Sequence, residues 1–260
     1  GHYVYPRLTG GSFLKTETAD AEVASPSAKF ESNVGLFPGF TNSEDTTTQS
    51  FMWRRAPGYF DVVCYEGTYS TQTINHNLGV KPEALLIKQR TGATGWIWWF
   101  DAFGDNQTFM RGDLGNATIT NASYLNNTAP TDTQITLGAH NNTNAAGGDL
   151  IAYLFATVPG ISKVGSYTGT GADLNVDCGF SAGARFVLIK RTDSTGDWYV
   201  WDSVRGIVAG NDPYLLLNST AAEVTSTDYI DPLSSGFTVT SSAPTGLNAS
   251  SGTYIFYATA

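Results

Sequence analysis

The sequence has few charged residues, few cysteines and few histidines, and each shortage argues against a class of protein. Charged residues make up 14% of its 260 residues, against roughly 25% in typical soluble domains. Two cysteines cannot build a disulfide framework or a cysteine-based zinc site, and there are only three histidines. Gly, Thr, Ser and Asn replace the usual Lys and Glu, so residues that favour strands and turns dominate. A helical bundle or coiled coil is therefore disfavoured.

Long apolar segments and basic surfaces are missing as well. The longest apolar run, residues 150–158, is interrupted by Thr157 and is far shorter than the roughly 20 residues that span a bilayer. No basic segment followed by an apolar run marks a signal peptide in residues 1–25. The net charge of −9 repels phosphate backbones and anionic headgroups. We expect no nucleic-acid partner and no membrane insertion.

What the sequence does contain is an internal duplication. A shift of 102 residues places 61–158 on 163–260 without a gap. The matches fall on aromatic, aliphatic, Gly and Pro positions, a pattern that chance rarely produces. Matched pairs include Val62 with Val164, Tyr65 with Tyr167, Leu86-Ile87-Lys88 with Leu188-Ile189-Lys190, Trp96 with Trp198, Pro130 with Pro232, and Ala156-Thr157 with Ala258-Thr259. We interpret residues 61–158 and 163–260 as two copies of one domain, with Pro159 and Gly160 in a short linker.

Each copy reads as an all-β domain. Short segments rich in Val, Ile, Leu, Tyr, Trp and Thr alternate with Gly- and Asn-rich turns. In the first copy we predict strands near 61–66, 71–76, 84–90, 96–100, 133–138 and 149–157, with matching strands 102 positions later. The predicted fold is therefore all-β, with two tandem antiparallel β-sandwich domains preceded by an extended N-terminal segment.

Residues 1–60 have no counterpart in the repeats and are broken by four prolines. We expect either an extended arm that packs on the repeats or on a neighbouring subunit, or the end of a preceding domain. Phe51-Met52-Trp53, Arg54-Arg55 and Tyr59-Phe60 are expected to anchor this segment to the first repeat.

Four motifs that suggest chemistry have simpler interpretations. Residues 179–183 match G-x-S-x-G, but all three histidines precede Ser181 and no helix pattern follows, so we predict a turn. His76 and His140 have no partner at metal-ligand spacing, so we predict no metal site. Cys64 and Cys178 do not align with each other, and we predict both to be buried. The run from Asp193 to Asp197 has the alternation of a calcium loop, but we favour a hairpin turn.

The acidic residues do not suggest catalysis. Glycoside hydrolysis requires a pair of carboxylates flanking the scissile bond, yet no aligned position is acidic in both copies. This pattern is typical of a scaffold whose surface charges have drifted. We therefore predict no catalytic residues, no cofactor and no enzyme activity, although an active site within one copy or at the junction stays an open alternative.

The remaining candidate is an aromatic cluster that occurs in both copies. Neighbouring residues of a strand point to opposite faces, so one face of 96–100 and of 198–201 must be exposed to something other than its own core. That face either packs against another subunit or forms a flat platform for a sugar ring. The candidate ligand-binding residues are Trp98, Trp99, Tyr199 and Trp201.

Three stretches, residues 53–65, 75–79 and 186–198, resemble an uncharacterised domain that recurs in predicted tail-fibre and other virion proteins of marine bacteriophages. The similarity covers about residues 50–260 and carries no catalytic residues. The resemblance implies a virion location, with other virion proteins as partners. In such proteins the region commonly follows a concanavalin-like jelly roll, which would make residues 1–60 an incomplete remnant.

Together these features predict a virion structural protein, two β-sandwich repeats long, from the tail-fibre region. There it would contact a host surface glycan or receptor, and a homotrimer is the natural oligomer for a fibre. The first alternative is a capsid or tail decoration protein without a ligand, and the second is a glycan-degrading enzyme.

Overall fold

The computed structural model describes residues 1–25, 29–31, 35–37 and 50–260. Their regular structure is almost entirely antiparallel β-sheet, as the composition predicts. The N-terminal part forms a three-stranded sheet in the order β1-β2-β3 and a separate β4-β5 hairpin. The strands are β1 (Tyr3–Val4), β2 (Ser12–Lys15), β3 (Val23–Ala24), β4 (Lys29–Glu31) and β5 (Gly35–Phe37). A 3₁₀ turn, Arg7–Thr9, lies between β1 and β2.

The first repeat is a sandwich of a large and a small sheet. Its strands are β6 (Phe60–Glu66), β7 (Gln72–Asn75), β8 (Ala84–Gln89), β9 (Ile97–Phe100), β10 (Thr108–Arg111), β11 (Ile119–Thr120), β12 (Gln134–Leu137) and β13 (Asp149–Phe155). The large sheet has the order β11-β10-β9-β8-β13-β6, and β12 pairs with β7 in the small one. A one-turn helix, α1 (Asn141–Asn144), precedes β13, and a 3₁₀ turn, Asp101–Phe103, follows β9.

The second repeat has the same plan. Its strands are β14 (Ser162–Thr168), β15 (Leu174–Asp177), β16 (Phe186–Arg191), β17 (Trp198–Asp202), β18 (Leu215–Leu216), β19 (Ile230–Leu233), β20 (Gly236–Val239) and β21 (Thr253–Thr259), with helix α2 (Thr245–Asn248) before β21. The large sheet has the order β14-β21-β16-β17-β18, and the small sheet has the order β15-β20-β19. The two tandem antiparallel sandwiches of the prediction are therefore present.

The strand pairing shows that the repeats do not align without gaps. In the first repeat Phe155 lies opposite Phe60, and in the second Thr259 lies opposite Ser162. The first strands are thus 102 residues apart, whereas the last strands are 104 apart. The match of Ala156-Thr157 with Ala258-Thr259 is therefore wrong, because two extra residues precede α2. In the corrected register Tyr153 coincides with Tyr257.

A second correction concerns β10 and β18, which sequence reasoning did not predict. Trp98 lies opposite Met110, and its counterpart Val200 lies opposite Leu215. This shift of 105 reflects a longer connection in the second repeat. The β12 and β20 strands are again 102 residues apart, since Gln134 lies opposite Asn75 and Gly236 lies opposite Asp177.

The two large sheets pack back to back, so the molecule has three apolar cores. One core lies inside each sandwich, between its large and small sheets. The third, which we call the junction core, lies between the two large sheets and takes buried side chains from both repeats together with Leu14 of β2. Strands β13 and β21 are consequently buried on both faces along nearly their whole length, which explains their continuous apolar sequences.

The turn that joins the repeats occurs a second time, before the first repeat. Val158 and Ser162 form a bridge around Pro159-Gly160, and Ala56 and Phe60 form the same bridge around residues 57–58. Phe51 and Trp53, which precede the earlier turn, pack against the junction core, where both rings contact Phe186 of the second repeat. The predicted anchoring to the first repeat holds for Arg55, which pairs with Asp61, but is wrong for Met52, which is 70% exposed, and incomplete for Phe51 and Trp53.

Candidate functional site

All four predicted ligand-binding aromatic residues are buried. Their side chains are 6% exposed at Trp98, 1% at Trp99, 9% at Tyr199 and 0% at Trp201. A sugar ring needs an open aromatic face, and none of the four offers one. The predicted glycan platform is therefore wrong for these residues, and the packing alternative describes them.

The faces of β9 and β17 explain this burial. Trp98 and Phe100 point into the junction core, whereas Trp99 points into the core of the first sandwich. The indole N–H of Trp99 is satisfied by the carbonyl oxygen of Asp105, at 2.9 Å. A period of two correctly places neighbours on opposite faces, but the second face meets the other repeat instead of solvent.

The same alternation holds in the second repeat. Tyr199 and Trp201 lie in its sandwich core, where their rings stack with centroids 5.8 Å apart. Trp198 and Val200 belong to the junction core. Both repeats thus use one face of the aromatic strand for their own core and the other for each other.

Two buried lysines were missed as structural residues. Lys88 and Lys190 are both 0% exposed, and burial lowers the pKa of each ammonium to about 8. The ammonium of Lys190 donates to the carbonyl oxygens of Gly115, Asn116 and Arg191, at 3.4, 2.8 and 3.0 Å. The identical Leu-Ile-Lys triplets carried the signal, because a lysine inside an apolar strand requires a partner when it is buried.

Lys88 makes an equivalent set of contacts toward the N-terminal segment. Its ammonium donates to the carbonyl oxygens of Ala19, Gln89 and Gly92, at 3.2, 2.8 and 3.4 Å. Backbone carbonyls are acceptors that any sequence offers. Each lysine can therefore bind a neighbouring segment whatever side chains that segment carries. The lysines therefore connect separate parts of the chain through buried hydrogen bonds.

A buried asparagine plays a similar part inside each sandwich. Asn248 accepts hydrogen bonds from the amides of Thr170 and Gly171 and donates to the carbonyls of Ala172 and Thr240. Its counterpart Asn144 holds the corresponding loops of the first repeat. The corrected register places these two residues, 104 positions apart, at the same point, the end of the one-turn helix.

The two internal histidines have structural partners. The Nδ1 atom of His76 accepts from the amide of Leu78, and its Nε2 atom lies 3.3 Å from the carbonyl oxygen of Thr131. His140 caps α1 by accepting from the amide of Asn142. Burial lowers the pKa of both imidazoles, which favours their neutral forms.

The carboxylates of the 193–197 turn are engaged with protein groups. Asp193 forms a two-pronged ion pair with Arg191, and this contact lowers its pKa to about 2. Asp197 accepts from the side-chain amide of Asn218 at 2.8 Å. Residues 179–183 form a loop between β15 and β16, with Gly179 and Gly183 at positive φ. Within the described residues no group of three or more metal-ligating side chains occurs.

The two cysteines differ from each other. Cys178 is buried, as predicted, and burial raises the pKa of its thiol to about 12. Cys64 is exposed on β6, so the prediction that it is buried is wrong. As an edge strand, β6 leaves every second side chain of its outer half in solvent.

A shallow groove in the second repeat has the features of a contact site. It opens between the edge strands β14 and β15 and has a volume of about 410 Å³. Gly165 makes room for the ring of Phe256, because a Cβ atom at this position would lie 2.7 Å from the ring. Ser166, Asn175 and Asp177 are exposed along the groove. The ring of Phe256 beneath it is only 2% exposed, so the groove offers a rim of hydrogen-bonding groups and no open aromatic face, and any ligand would be held by polar contacts.

These features define a scaffold of two stacked β-sandwiches, held by buried lysine and asparagine contacts, with a shallow polar groove on the second repeat. The chain belongs to the family described as Domain of unknown function (DUF7483), whose model matches residues 39–260. Comparison with curated proteins and with solved structures finds no match. Among the described residues, no helix is long and apolar enough to cross a membrane.

Proposed function

We propose that this protein is a structural component of a bacteriophage particle, located in the tail-fibre region, where it contacts the host surface. The resemblance of residues 53–65, 75–79 and 186–198 to virion proteins supports the location. The observation that supports the contact is the groove between β14 and β15, held on a scaffold whose three cores fix its position.

The chemistry of the groove favours a neutral, hydroxyl-rich ligand such as a surface sugar. Lys163 and Asp177 bring charges of both signs to the rim, and Ser166 and Asn175 offer neutral hydrogen-bonding groups. Such polar contacts tolerate salt better than ion pairs alone would. Weak individual sites become effective when many copies act together on one particle.

A blocking substitution tests the contact. Ser166→Trp would fill the groove, and Cys64→Trp places the same side chain at the equivalent exposed position of the first repeat, since both residues lie opposite an isoleucine of the last strand. Binding to host cells and to a glycan array should fall at least tenfold for Ser166→Trp and stay unchanged for Cys64→Trp. Equal binding by both variants, or no binding by the unmodified protein, would contradict the contact.

A decoration protein without a ligand is the second candidate, and the burial of all four aromatic residues favours it. In that case the tryptophans and the groove serve packing alone. Electron microscopy of particles labelled with an antibody against this chain separates the candidates. Label at the fibre supports the first proposal, and label on the head supports the second.

A further inference from the structure

The N-terminal three-stranded sheet repeats the strand pairing of the two sandwiches. Tyr3 lies opposite Lys15 as Ile97 lies opposite Arg111. Tyr199 lies opposite Leu216 in the second repeat. In each case the amide after Lys15, Arg111 or Leu216 donates to the carbonyl oxygen of the residue that precedes Tyr3, Ile97 or Tyr199. These bonds run from Thr16 to His2, from Gly112 to Trp96 and from Leu217 to Trp198, at 3.2, 2.8 and 2.9 Å.

The following hairpin also recurs three times with one geometry. Each time an aromatic residue pairs with an aliphatic residue ten positions later. The pairs are Phe13 with Val23, Phe109 with Ile119, and Tyr214 with Val224. A hairpin of the same length, following a strand of the same register, is difficult to reconcile with an unrelated arm. Residues 2–24 therefore share a strand pairing with the two repeats, which the sequence comparison did not reveal.

A side-chain contact recurs at the same position in the N-terminal sheet (residues 2–24) and in the two repeats, which together we call the three modules. The backbone amide of the residue that precedes Tyr3, Ile97 or Tyr199 donates to a side-chain carboxylate or amide oxygen two residues beyond Lys15, Arg111 or Leu216. The pairs are His2 with Glu17 at 3.2 Å, Trp96 with Asp113 at 3.2 Å, and Trp198 with Asn218 at 2.9 Å. The chemistry of the acceptor has been kept while the residue type changed.

The modules are joined to one another by equivalent contacts. The indole N–H of Trp198 donates to the carbonyl oxygen of Arg111 at 2.9 Å, and that of Trp96 donates to the carbonyl oxygen of Lys15 at 2.8 Å. Lys15 and Arg111 occupy the same place in successive modules. The second repeat therefore contacts the first through the same indole-to-carbonyl hydrogen bond by which the first contacts the N-terminal sheet.

Two further kinds of contact join each repeat to the preceding module in the same way. Lys190 reaches the carbonyl of Gly115, and Lys88 reaches that of Ala19, four residues beyond Arg111 and Lys15 respectively. The amide of Thr118 donates to the carbonyl of Thr192 at 3.0 Å, and the amide of Glu22 donates to the carbonyl of Arg90 at 2.7 Å. The Thr118 and Glu22 amides each lie seven residues beyond the carbonyl that accepts the indole.

A third junction joins the N-terminal sheet to the second repeat, so that each module contacts the other two. The ring of His2, which stands where the other modules have Trp96 and Trp198, lies beside the backbone of Leu216. Leu216 is the counterpart of Lys15 and Arg111. The hydroxyl of Thr16 donates to the carbonyl of the next residue, Leu217, at 2.7 Å. A head-to-tail relation that returns to its start after three steps is a rotation by about a third of a turn.

We infer that residues 2–24 are a third, partial copy of the module and that they dock between the two repeats to close a pseudo-threefold ring within one chain. Leu14 is the apolar anchor of the docked copy, because it is 1% exposed and lies in the junction core with its counterpart Met110. The sequence carries a trace of the copy in Tyr3-Val4, which matches Tyr199-Val200.

The ring makes the threefold arrangement intramolecular, so it does not require the homotrimer that a fibre suggests. A three-membered ring built by one chain predicts a solution mass of 27.8 kDa, that of a single chain. This inference is independent of the proposed host contact, because it depends on residues 2–24 and leaves the groove unchanged.

Hydrogen–deuterium exchange of the full chain tests the docking. Peptides covering 12–24 should exchange as slowly as peptides covering 108–120. Leu14→Asp should bring 12–24 to the exchange rate of a free chain, whereas Leu8→Asp, at a position 48% exposed on the preceding turn, should leave the protection unchanged. Fast exchange of 12–24 in the unmodified chain, or protection that survives Leu14→Asp, would overturn the inference.

Cross-linking tests the closure. In a Cys64→Ser background, Thr16→Cys with Leu217→Cys should be joined within one chain by a short thiol cross-linker. The same pair in the Leu14→Asp background should not react. A cross-link found only between two chains, together with a mass that is a multiple of one chain, would show that copies exchange their N-terminal modules and would overturn the single-chain ring.

Discussion

Trp98 and Trp198 stack across the junction of the two repeats, with ring centroids 5.5 Å apart and an angle of 26° between the planes. They are not counterparts, because Trp198 corresponds to Trp96 and Trp98 corresponds to Val200. The repeats therefore meet through equivalent sheet faces with non-equivalent residues in contact, which is a head-to-tail arrangement. Such a contact can be repeated by a further copy, and the N-terminal sheet uses this possibility.

Removal of Trp198 should destabilise the whole chain. We expect Trp198→Ala to lower the free energy of unfolding by about 3–5 kcal/mol, because it leaves a cavity in the junction core and an unpaired carbonyl on Arg111. Chemical denaturation followed by circular dichroism measures the change. Because the core is shared, the unmodified repeats should unfold in one transition.

The matched variant is Tyr69→Ala, which removes an aromatic side chain that is 50% exposed. It should change the free energy by less than about 1 kcal/mol. A loss of that small size for Trp198→Ala would show that the repeats do not share a core in solution.

The strands of the sandwiches were largely predictable, whereas the junction core was not. Residues 84–90 and 186–191 are apolar runs between turns, and the structure places β8 and β16 there within one residue. The short strands β10 and β18 lie in segments whose connections differ in length, so a gap-free comparison hid them. A single copy shows that β9 has two apolar faces, but it does not show which partner covers the second.

The predicted site failed for the same reason. Alternation correctly assigns Trp98 and Trp99 to opposite faces, and a sugar platform follows only if one face meets solvent. The lysine within each Leu-Ile-Lys triplet was the better guide, because a buried ammonium requires acceptors from another segment. The acceptors themselves are backbone carbonyls, and these leave no trace in the side-chain sequence.

Substitution of the buried asparagine of each sandwich should lower the free energy of unfolding more than the small size of the side chain suggests. Asn248→Asp keeps the shape but loses the two N–H donors that hold Ala172 and Thr240. It should cost about 2–4 kcal/mol, because buried carbonyls lose their partners and a charge is buried. Thermal unfolding of this variant should show a clear drop, and the exposed change Asn141→Asp should show little. Equal stability of the two variants would contradict the role assigned to Asn248.

Asp212 should give the second repeat a pH-dependent stability. Its carboxylate is 0% exposed, and burial raises its pKa from 3.8 to about 6. Between these values the unfolded chain releases the proton while the folded chain keeps it. The stabilisation by protonation is complete below pH 3.8 and is lost as the pH rises through about 6, a change of about 3 kcal/mol.

The comparison of the unmodified chain with Asp212→Asn isolates this contribution. The difference in unfolding free energy between the two proteins, measured from about pH 4 to about pH 7, should change across the window and become constant above it. A constant difference for Asp212→Asn would mean that its carboxyl group is solvated.

The two thiols should differ in reactivity. Cys64 is exposed on β6, whereas Cys178 lies in the core of the second sandwich, where burial raises its pKa to about 12. Because the thiolate is the reactive form, a thiol reagent near neutral pH should modify one cysteine in the native chain and both in denaturant. Cys64→Ser should abolish the native reaction, and Cys178→Ser should leave it unchanged. Rapid modification of both thiols in the native chain would show that the second sandwich opens far more readily than its packing allows.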